Sequence, residues 1–597
     1  MAQRQFFDLE QLDADALRRV ATILRGHGYT EAGVRERLGV KELAQVSLEA
    51  YPYYLDQRLR RRTPLDLAIV LFLLQGVLTS EELREVFDAP ARKLLRQAGV
   101  LAGDRQSKTV RARVSLYPIE DRLLFTDHRF SHHPWLRSRL PREPVMHLGP
   151  DAYALSRALL RRPMRGVLDL CCGAGVHAIL GASTAERTVG VDLNPRAVNF
   201  ARLNALFNDA WNAVFMEGDL YGPVVGERFD LIVANPPFVP APAQQLAWRD
   251  GGPSGADVLR RIVGALPDFL ASDGTAQIVT HVAERDGESY LERIRRWLGG
   301  ANLHLHSLRL AESDPLDYAV SNVKPSFGED YPRYAQRLAE WVQNLRSQRF
   351  QRIVSVVLTL QWNEEAPLPP WTQEDEAKAP LKDVSAELAR LLAARRRVRK
   401  LPTLQALDRM RVVIPDDLLL IERRRSMGAG FETKDFRVLF REAQLSPELD
   451  VKPLVRDLLE RCDNRATVPQ VIARLAADTG QEPAMLDERC RRAFLVMHER
   501  GLVRLEDLPA GAAIEPALAA AQAESSSSQI TPPPADPFLY SDEAKEPKLE
   551  RGEPKPRPNT MDYDPFKISS LGMESMDPDL PGPAQPSGDA GRDARRG

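Results

Sequence analysis

Short apolar runs alternate with helical segments between about residues 145 and 362. The apolar runs are GVLDL, RTVGVDL, NAVFMEGD, FDLIVAN, GTAQIVTH and RIVSVVLTLQW. The segments between them include ALSRALL, NPRAVNFARLNALFN and GADVLRRIVGALPDFL, whose apolar residues recur with a period near 3.6. This alternation predicts an α/β domain over residues 145–363, with an open, doubly wound and mostly parallel sheet. Such sheets bind ligands at the carboxyl ends of their strands.

Residues 1–140 are predicted to form an N-terminal domain rich in helices. A helical period is present in residues 14–28, 63–78 and 80–101, and residues 110–127 then alternate as strands do. Three helices followed by a short hairpin are typical of a winged-helix-like domain. A helical lid domain has the same pattern, so the two alternatives stay open.

The C-terminal third divides into three predicted parts. Residues 364–380 are polar and proline-rich, which predicts a linker. Residues 381–522 are predicted to be α-rich, with a second winged-helix-like unit at about 452–506. Residues 523–597 contain 13 of the 45 prolines and a serine run. They have few large apolar side chains to bury, so a disordered tail is predicted.

Composition indicates an ordinary globular protein in a reducing compartment. The 597 residues are 43% hydrophobic and have a net charge of −2, which gives no global attraction to nucleic acid or membrane. Four cysteines, of which Cys171 and Cys172 are adjacent, do not suit a disulfide scaffold. The N-terminus has no apolar signal core, and the most apolar run, residues 67–74, is too short to span a bilayer. We therefore expect a cytoplasmic protein with no membrane partner.

Polar residues stand at the ends of four successive predicted strands. Asp169 ends the first, and Gly173 and Gly175 follow it where a helix begins. Glycines permit a tight turn there, and a helix N-terminus offers free N–H groups. Asp192 ends the second strand, where a carboxylate suits a ribose diol. Asp219 ends the third strand, where it can meet an exocyclic amino group.

The fourth strand ends in Asn235-Pro236-Pro237-Phe238. With this ending, the ordered series of strand ends resembles the class I S-adenosylmethionine-dependent methyltransferases, which have a Rossmann-like sheet. The NPPF sequence is typical of their "small domain", HemK-like branch of amino-methyltransferases. The resemblance implies S-adenosylmethionine as cofactor, and it covers about residues 145–290.

The resemblance assigns roles to the first three strand ends. Asp169, Gly173 and Gly175 would surround the methionyl part of the cofactor, Asp192 would hold the ribose, and Asp219 would contact the adenine. Cys171 stands where the family has the first glycine of the turn. Because the other two glycines are present, we expect binding to persist, with Cys171 and Cys172 acting as small packing residues.

The fourth strand end implies the reaction. The lone pair of a planar NH2 nitrogen is delocalised, so the group is a poor nucleophile. The side-chain oxygen of Asn235 and the backbone carbonyl of Pro236 can accept its two N–H bonds and direct the lone pair toward the methyl group. Phe238 can stack on the flat acceptor. The sequence thus predicts Asn235, Pro236 and Phe238 as the catalytic residues of an N-methyltransferase.

The acceptor stays open between a protein glutamine amide and a nucleic-acid base. Residues 248–263 are similar to the segment after NPPY in the HemK-type glutamine methyltransferases of release factors. Residues 147–160 match the Pro-Arg-x-Glu-Thr element of those enzymes in position only. A release factor, a ribosomal protein, RNA or DNA is the expected partner, and the oligomeric state is not predicted. A non-catalytic nucleic-acid-binding protein that senses S-adenosylmethionine and a small-molecule N-methyltransferase are the alternatives.

Histidines and arginines outside these strand ends have two interpretations each. His128, His132 and His133 do not have the spacing of a zinc site, so a polar loop over the cofactor cleft is predicted, and no metal. Two basic clusters, at residues 58–62 and 395–400, can be solvated faces or phosphate contacts.

Overall fold

The N-terminal part consists of short helices and two small sheets. The computed structural model describes residues 7–47, 50–104, 108–128, 143–243, 246, 248–324, 329–364, 368–428, 430–441, 443–445 and 449–508. The α-helices are α1 (Ala14–Gly26), α2 (Glu31–Leu38), α3 (Tyr51–Tyr53), α4 (Pro64–Ala68), α5 (Ser80–Val86) and α6 (Ala89–Gln97), and π-helical segments at Tyr54–Arg58 and Ile69–Leu73 continue α3 and α4. The strands are β1 (Val77–Thr79), β2 (Leu101–Asp104), β3 (Thr109–Ala112), β4 (Ser115–Ile119) and β5 (Arg122–Thr126). They form a sheet of order β1-β3-β2 and a β4–β5 hairpin.

The strand pattern of residues 110–127 is confirmed, and the predicted helix over residues 80–101 is two helices. Asp88 interrupts that helix, because its side chain accepts a hydrogen bond of 2.9 Å from the Ala91 N–H and caps α6. The winged-helix interpretation stays a prediction. The predicted disordered tail, residues 523–597, lies outside the described residues.

The central part contains the main sheet. Its helices are α7 (Pro150–Ala158), α8 (Val176–Gly181), α9 (Pro195–Phe207), α10 (Asp257–Phe269), α11 (Tyr290–Trp297), α12 (Pro315–Asn322) and α13 (Tyr331–Ser347). Its strands are β6 (Met164–Leu170), β7 (Ala185–Asp192), β8 (Ala213–Glu217), β9 (Phe229–Ala234), β10 (Leu270–Arg285), β11 (Leu303–Ser313), β12 (Phe350–Trp362) and β13 (Thr372–Glu376).

The sheet has the order β13-β11-β12-β10-β9-β6-β7-β8. Strands β6 to β10 pair in parallel, and β12 runs antiparallel to both of its neighbours. Every residue of β9 is buried, as expected for a central parallel strand with helices on both faces. The predicted doubly wound, mostly parallel Rossmann-like sheet is therefore confirmed.

Three asparagines of the α9 region attach the N-terminal part to the sheet domain. The side chain of Asn204 accepts a hydrogen bond from the Phe125 N–H at 2.8 Å and donates to the Phe125 carbonyl at 2.9 Å. Asn208 makes the same pair with the backbone of Leu123, and Asn199 with that of Phe7. One apolar core runs from Phe7 to Val233, so no break in packing marks the predicted boundary near residue 140.

The C-terminal part mixes helices and strands. Its helices are α14 (Ser385–Lys400), α15 (Pro453–Glu460), α16 (Val468–Thr479) and α17 (Pro483–Glu499). Its strands are β14 (Met410–Val413), β15 (Leu418–Ser426), β16 (Phe431–Phe440), β17 (Leu449–Val451) and β18 (Arg504–Asp507). The sequence predicted that this region is α-rich. The structure differs from that prediction because it also contains the three-stranded sheet β15–β16–β17.

The predicted linker, residues 364–380, also differs from the structure. Within it, β13 pairs in parallel with β11 and adds an eighth strand to the sheet. The arginine run of α14 holds this edge: Arg395 is buried, and its Nη2 lies 2.7 Å from Asp375 of β13. Arg396 and Lys400 pair with Glu364. These arginines bind neighbouring segments of the chain, which neither sequence interpretation included.

Within the described part of the chain, no helix is both long enough and apolar enough to cross a bilayer.

Candidate active site

A cavity of about 740 Å³ opens at the carboxyl ends of β6, β7, β8 and β9. This volume is in the range of small-molecule and cofactor sites. The predicted residues Gly173, Asp192, Asp219 and Asn235 all line it. The rest of its lining includes residues 143–149, Cys171, Cys172, Leu193, Asn194, Leu220, Pro237, Leu246, Trp248, Val258 and Arg261. The structure therefore brings one residue from each of the four strand ends to a single cavity.

Asp192 joins the glycine-rich turn to the second strand end. Its carboxylate accepts one hydrogen bond from the Gly173 N–H at 2.8 Å and another from the Asn194 N–H at 2.9 Å. Burial raises the pKa of this carboxyl. Gly173 has φ of 52°, and a Cβ at this position would meet no atom within 4 Å. The turn therefore leaves room that a bound molecule can fill.

Asp169 and Gly175 lie beneath the turn and do not line the cavity. Asp169 is fully buried, and its Oδ2 accepts a hydrogen bond of 2.9 Å from the Ala178 N–H in the first turn of α8. Gly175 has φ of 83°, and a Cβ there would lie 2.9 Å from Ala201 and from the Phe215 ring. In this structure both residues shape the turn from behind, rather than facing the space that a cofactor would occupy.

The buried Asp169 predicts a dependence of stability on pH. Burial raises the pKa of its carboxyl to about 7, above the ordinary value near 4. The folded state therefore keeps a proton that the unfolded state loses, and stability falls as the pH rises from about 4 to about 7. Asp169→Asn carries no such charge, so its stability relative to the native protein should increase over this interval, by up to about 4 kcal/mol. Thermal unfolding of both proteins from pH 4 to pH 8 measures this, and a constant difference would contradict it.

Asp219 forms an ion pair with Arg261, a residue that the sequence analysis did not name. Its Oδ2 lies 2.6 Å from Nη2 of Arg261 on α10, and both side chains are about half exposed. Because both residues line the cavity, a ligand that reaches Asp219 also meets the guanidinium group.

Asn235 and Phe238 have different places in the loop after β9. Asn235 is half-buried in the cavity wall, and no described residue hydrogen-bonds its carboxamide. Pro236 is buried behind the wall. The Phe238 ring does not line the cavity and packs against His281, with the ring centroids 4.2 Å apart. This ring is therefore positioned to support the loop rather than to stack on an acceptor.

A glycine-rich segment, residues 251–255, holds this loop closely. The Gly251 N–H donates to the Val239 carbonyl at 2.9 Å, and the Ala241 N–H donates to the Gly252 carbonyl at 3.1 Å. A Cβ at Gly255 would lie 2.4 Å from the Phe238 carbonyl oxygen, which is far inside van der Waals contact. Only glycine permits this approach.

Gly255→Ala should therefore displace the Asn235 loop and lower methyl transfer about 100-fold, since small misplacements of reacting groups cost that much. Gly226→Ala is the matched control. Gly226 has φ of 87°, similar to 73° for Gly255, but its Cβ would meet no atom within 4 Å. The control therefore reproduces the backbone strain without the clash. Equal activities of the two variants would contradict this role of Gly255.

The sequence analysis did not name residues 143–146, Trp248 or Arg261 as site residues, whereas residues 147–149 belong to the segment that it matched in position to the Pro-Arg-x-Glu-Thr element. The side chain of Asp127, at the end of the N-terminal part, accepts a hydrogen bond of 2.8 Å from the Val145 N–H and thereby fixes residues 143–149 against the cavity. The indole N–H of Trp248 is buried and has no partner among the described residues. Trp248 belongs to the segment that resembles HemK-type enzymes, which was the available signal for it.

The remaining candidate residues from the sequence analysis are two cysteines and three histidines. Burial raises the pKa of the Cys171 and Cys172 thiols, as expected of packing residues. His128 is buried, with Nδ1 3.0 Å from the Ser115 hydroxyl, whereas His132 and His133 lie outside the described residues. Among the described residues, no group of three or more His, Cys, Asp or Glu side chains could hold a metal ion.

The family model and one relative show that this fold and cavity are those of a class I methyltransferase. The family model of the methyltransferase small domain matches residues 150–296. A putative protein N5-glutamine methyltransferase of Methanocaldococcus jannaschii is 36% identical over 137 residues, which are 22% of this chain and 68% of that protein. The chain belongs to this small-domain, HemK-like family of S-adenosylmethionine-dependent N-methyltransferases.

Other relatives match the same part of the chain. The release factor glutamine methyltransferase of Geobacter sulfurreducens is 34% identical over 146 residues, 22% of this chain and 51% of that protein. The ribosomal protein uL3 glutamine methyltransferase of Bradyrhizobium diazoefficiens is 37% identical over 142 residues, 21% of this chain and 44% of that protein. The chain thus spans about half the length of these two relatives.

The family's methyl donor is S-adenosylmethionine, and the cavity is compatible with it. The open space at Gly173 would accommodate a chain that passes close to the backbone. The carboxylates of Asp192 and Asp219 are hydrogen-bond acceptors for hydroxyl and amino groups along the same wall.

Proposed function

We propose that the protein transfers a methyl group from S-adenosylmethionine to a planar NH2 nitrogen of a macromolecule. The observation that carries the proposal is the position of Asn235. Its carboxamide faces the cavity that also contains Gly173 and Asp192, and no described residue occupies its hydrogen-bonding groups. A structural asparagine at a buried strand end would instead have its polar groups satisfied by the protein.

In this proposal, Asp192 holds the ribose, Asp219 with Arg261 borders the adenine, and the turn at Gly173 surrounds the methionyl part. The bound cofactor supplies an electrophilic methyl group. Asn235 accepts one N–H bond of the acceptor through its side-chain oxygen. The other is assigned to the backbone carbonyl of Pro236, although Pro236 is buried behind the wall and is not among the residues that line the cavity. These two bonds orient the nitrogen lone pair and favour the positive charge that develops on nitrogen. Asp169, Gly175 and Phe238 position the two loops without touching the reacting atoms.

The first candidate for the acceptor is a glutamine amide of a protein. Relatives named as glutamine methyltransferases of release factors and of ribosomal protein uL3 support this choice. A carboxamide NH2 is planar and satisfies the two-acceptor geometry. Purine and cytosine amino groups have the same geometry, so a nucleic-acid acceptor is an alternative outcome of the experiment.

The test uses the purified full-length protein, radiolabelled S-adenosylmethionine and a cell extract freed of small molecules. The products are divided and treated with protease or with nuclease. Label released only by protease supports a protein acceptor, and label released only by nuclease assigns the acceptor to RNA or DNA. If neither fraction carries label while calorimetry detects cofactor binding, the proposal of a macromolecular acceptor is wrong.

A further inference from the structure

The helices α12 and α13 stand beside the catalytic loop and lie outside the family match, residues 150–296. They follow β11, which runs parallel to β10 because each is antiparallel to β12. The carboxyl end of β11 is therefore at the same edge of the sheet as the end of β9. The chain places a helical pair at the sheet edge that also carries Asn235.

The inner face of α12 is packed onto the catalytic loop. Tyr318 is buried in the same apolar cluster as Phe238, and its hydroxyl lies 2.9 Å from Nδ1 of His281, the ring on which Phe238 packs. The last residue of α12, Asn322, accepts a hydrogen bond of 3.4 Å from Arg249, the neighbour of the cavity residue Trp248. The helix thus contacts the segment that carries the cavity residue Trp248, although no residue of α12 itself lines the cavity.

The outer face of α12 carries exposed apolar side chains and aspartates. Leu316 and Val320 are one helical turn apart, and each is 47% exposed. Asp314, which caps the helix, and Asp317 are exposed beside them. We call Asp314, Leu316, Asp317 and Val320 the α12 face.

The side chains of the α12 face suit a protein acceptor better than a nucleic-acid acceptor. Nucleic-acid binding depends on lysine and arginine contacts to phosphates, and two aspartates repel that backbone. Apolar side chains flanked by carboxylates instead suit a polypeptide that carries apolar and basic side chains. We propose that the α12 face docks a protein acceptor of this kind and so directs its glutamine to Asn235. This inference rests on the proposed methyl transfer and specifies the class of macromolecule.

The test compares two double variants of the full-length protein. Leu316→Glu with Val320→Glu places charge on the α12 face. Leu419→Glu with Ile421→Glu is the matched control, since these residues of β15 are also exposed, by 43% and 36%. We expect the first variant to label the protein fraction of the extract at least 10-fold more slowly at low extract concentration. Its rate should approach the native one at high extract concentration, and its affinity for S-adenosylmethionine should not change. The control should match the native protein in all three respects.

Two further results would overturn the inference in distinguishable ways. If the native protein labels protein and the α12 variant labels it equally fast, docking at the α12 face is wrong and the proposed methyl transfer stands. If the native protein labels only nucleic acid, the protein acceptor and this docking site are both wrong. Salt gives an independent readout, because apolar docking should change transfer less than about 3-fold between 50 and 200 mM salt. A loss of about 1,000-fold is typical of several phosphate contacts and would contradict the proposal.

Discussion

Asn235→Ala should lower methyl transfer about 100- to 1,000-fold while leaving the affinity for S-adenosylmethionine unchanged. That range is the usual cost of removing one preorganised group that stabilises charge in a transition state. Asn235 is half-buried and has no hydrogen-bond partner among the described residues, so its removal should not affect folding. Transfer to extract macromolecules and calorimetric titration with the cofactor measure the two effects separately.

Asn235→Asp is a second substitution that tests the role of this side chain. It keeps the shape and one acceptor oxygen but adds a negative charge in the cavity wall. Because it still accepts the N–H bond and favours the positive charge that develops on the acceptor nitrogen, this variant should keep more transfer than Asn235→Ala. Undiminished transfer by Asn235→Ala would show that the strand end does not take part in the reaction, and the proposed mechanism would be wrong.

The strand ends of the site could be predicted because each follows a buried apolar run. Asp192, Asp219 and Asn235 come directly after such runs, and parallel strands carry their carboxyl ends to one edge. The sequence does not show which way a side chain leaves that edge. Asp169 points back into the first turn of α8 and Phe238 toward His281, and both were predicted to face bound molecules.

The strands that the sequence analysis missed have weaker patterns. The strand β13 reads TQEDE and has no apolar residue, because it is an edge strand held by ion pairs such as Asp375 with Arg395. The distal halves of β15 and β16 are exposed, so they give no apolar alternation. Hydrophobic periodicity in a sequence detects elements that have a buried face. It does not detect elements that are held by polar contacts between residues far apart in the chain.

Asp192→Ala should weaken binding of S-adenosylmethionine about 100-fold. The carboxylate accepts hydrogen bonds from the backbone N–H groups of Gly173 and Asn194, which fixes the turn against the second strand. Its removal leaves both donors unpaired and also removes the proposed partner of the ribose. Hydrogen bonds to a charged group contribute about 1.5–3 kcal/mol each, so the loss of ribose contacts alone accounts for about two orders of magnitude in affinity.

Glu217→Ala is the matched control for this experiment. Glu217 pairs with Asp192 across β7 and β8, but its side chain is exposed and does not line the cavity. The control should bind the cofactor as the native protein does. Asp192→Asn should be intermediate, since one oxygen can still accept a backbone hydrogen bond. If Asp192→Ala and Glu217→Ala bind equally well, the ribose lies elsewhere, and the proposed order of cofactor contacts along the four strand ends is wrong.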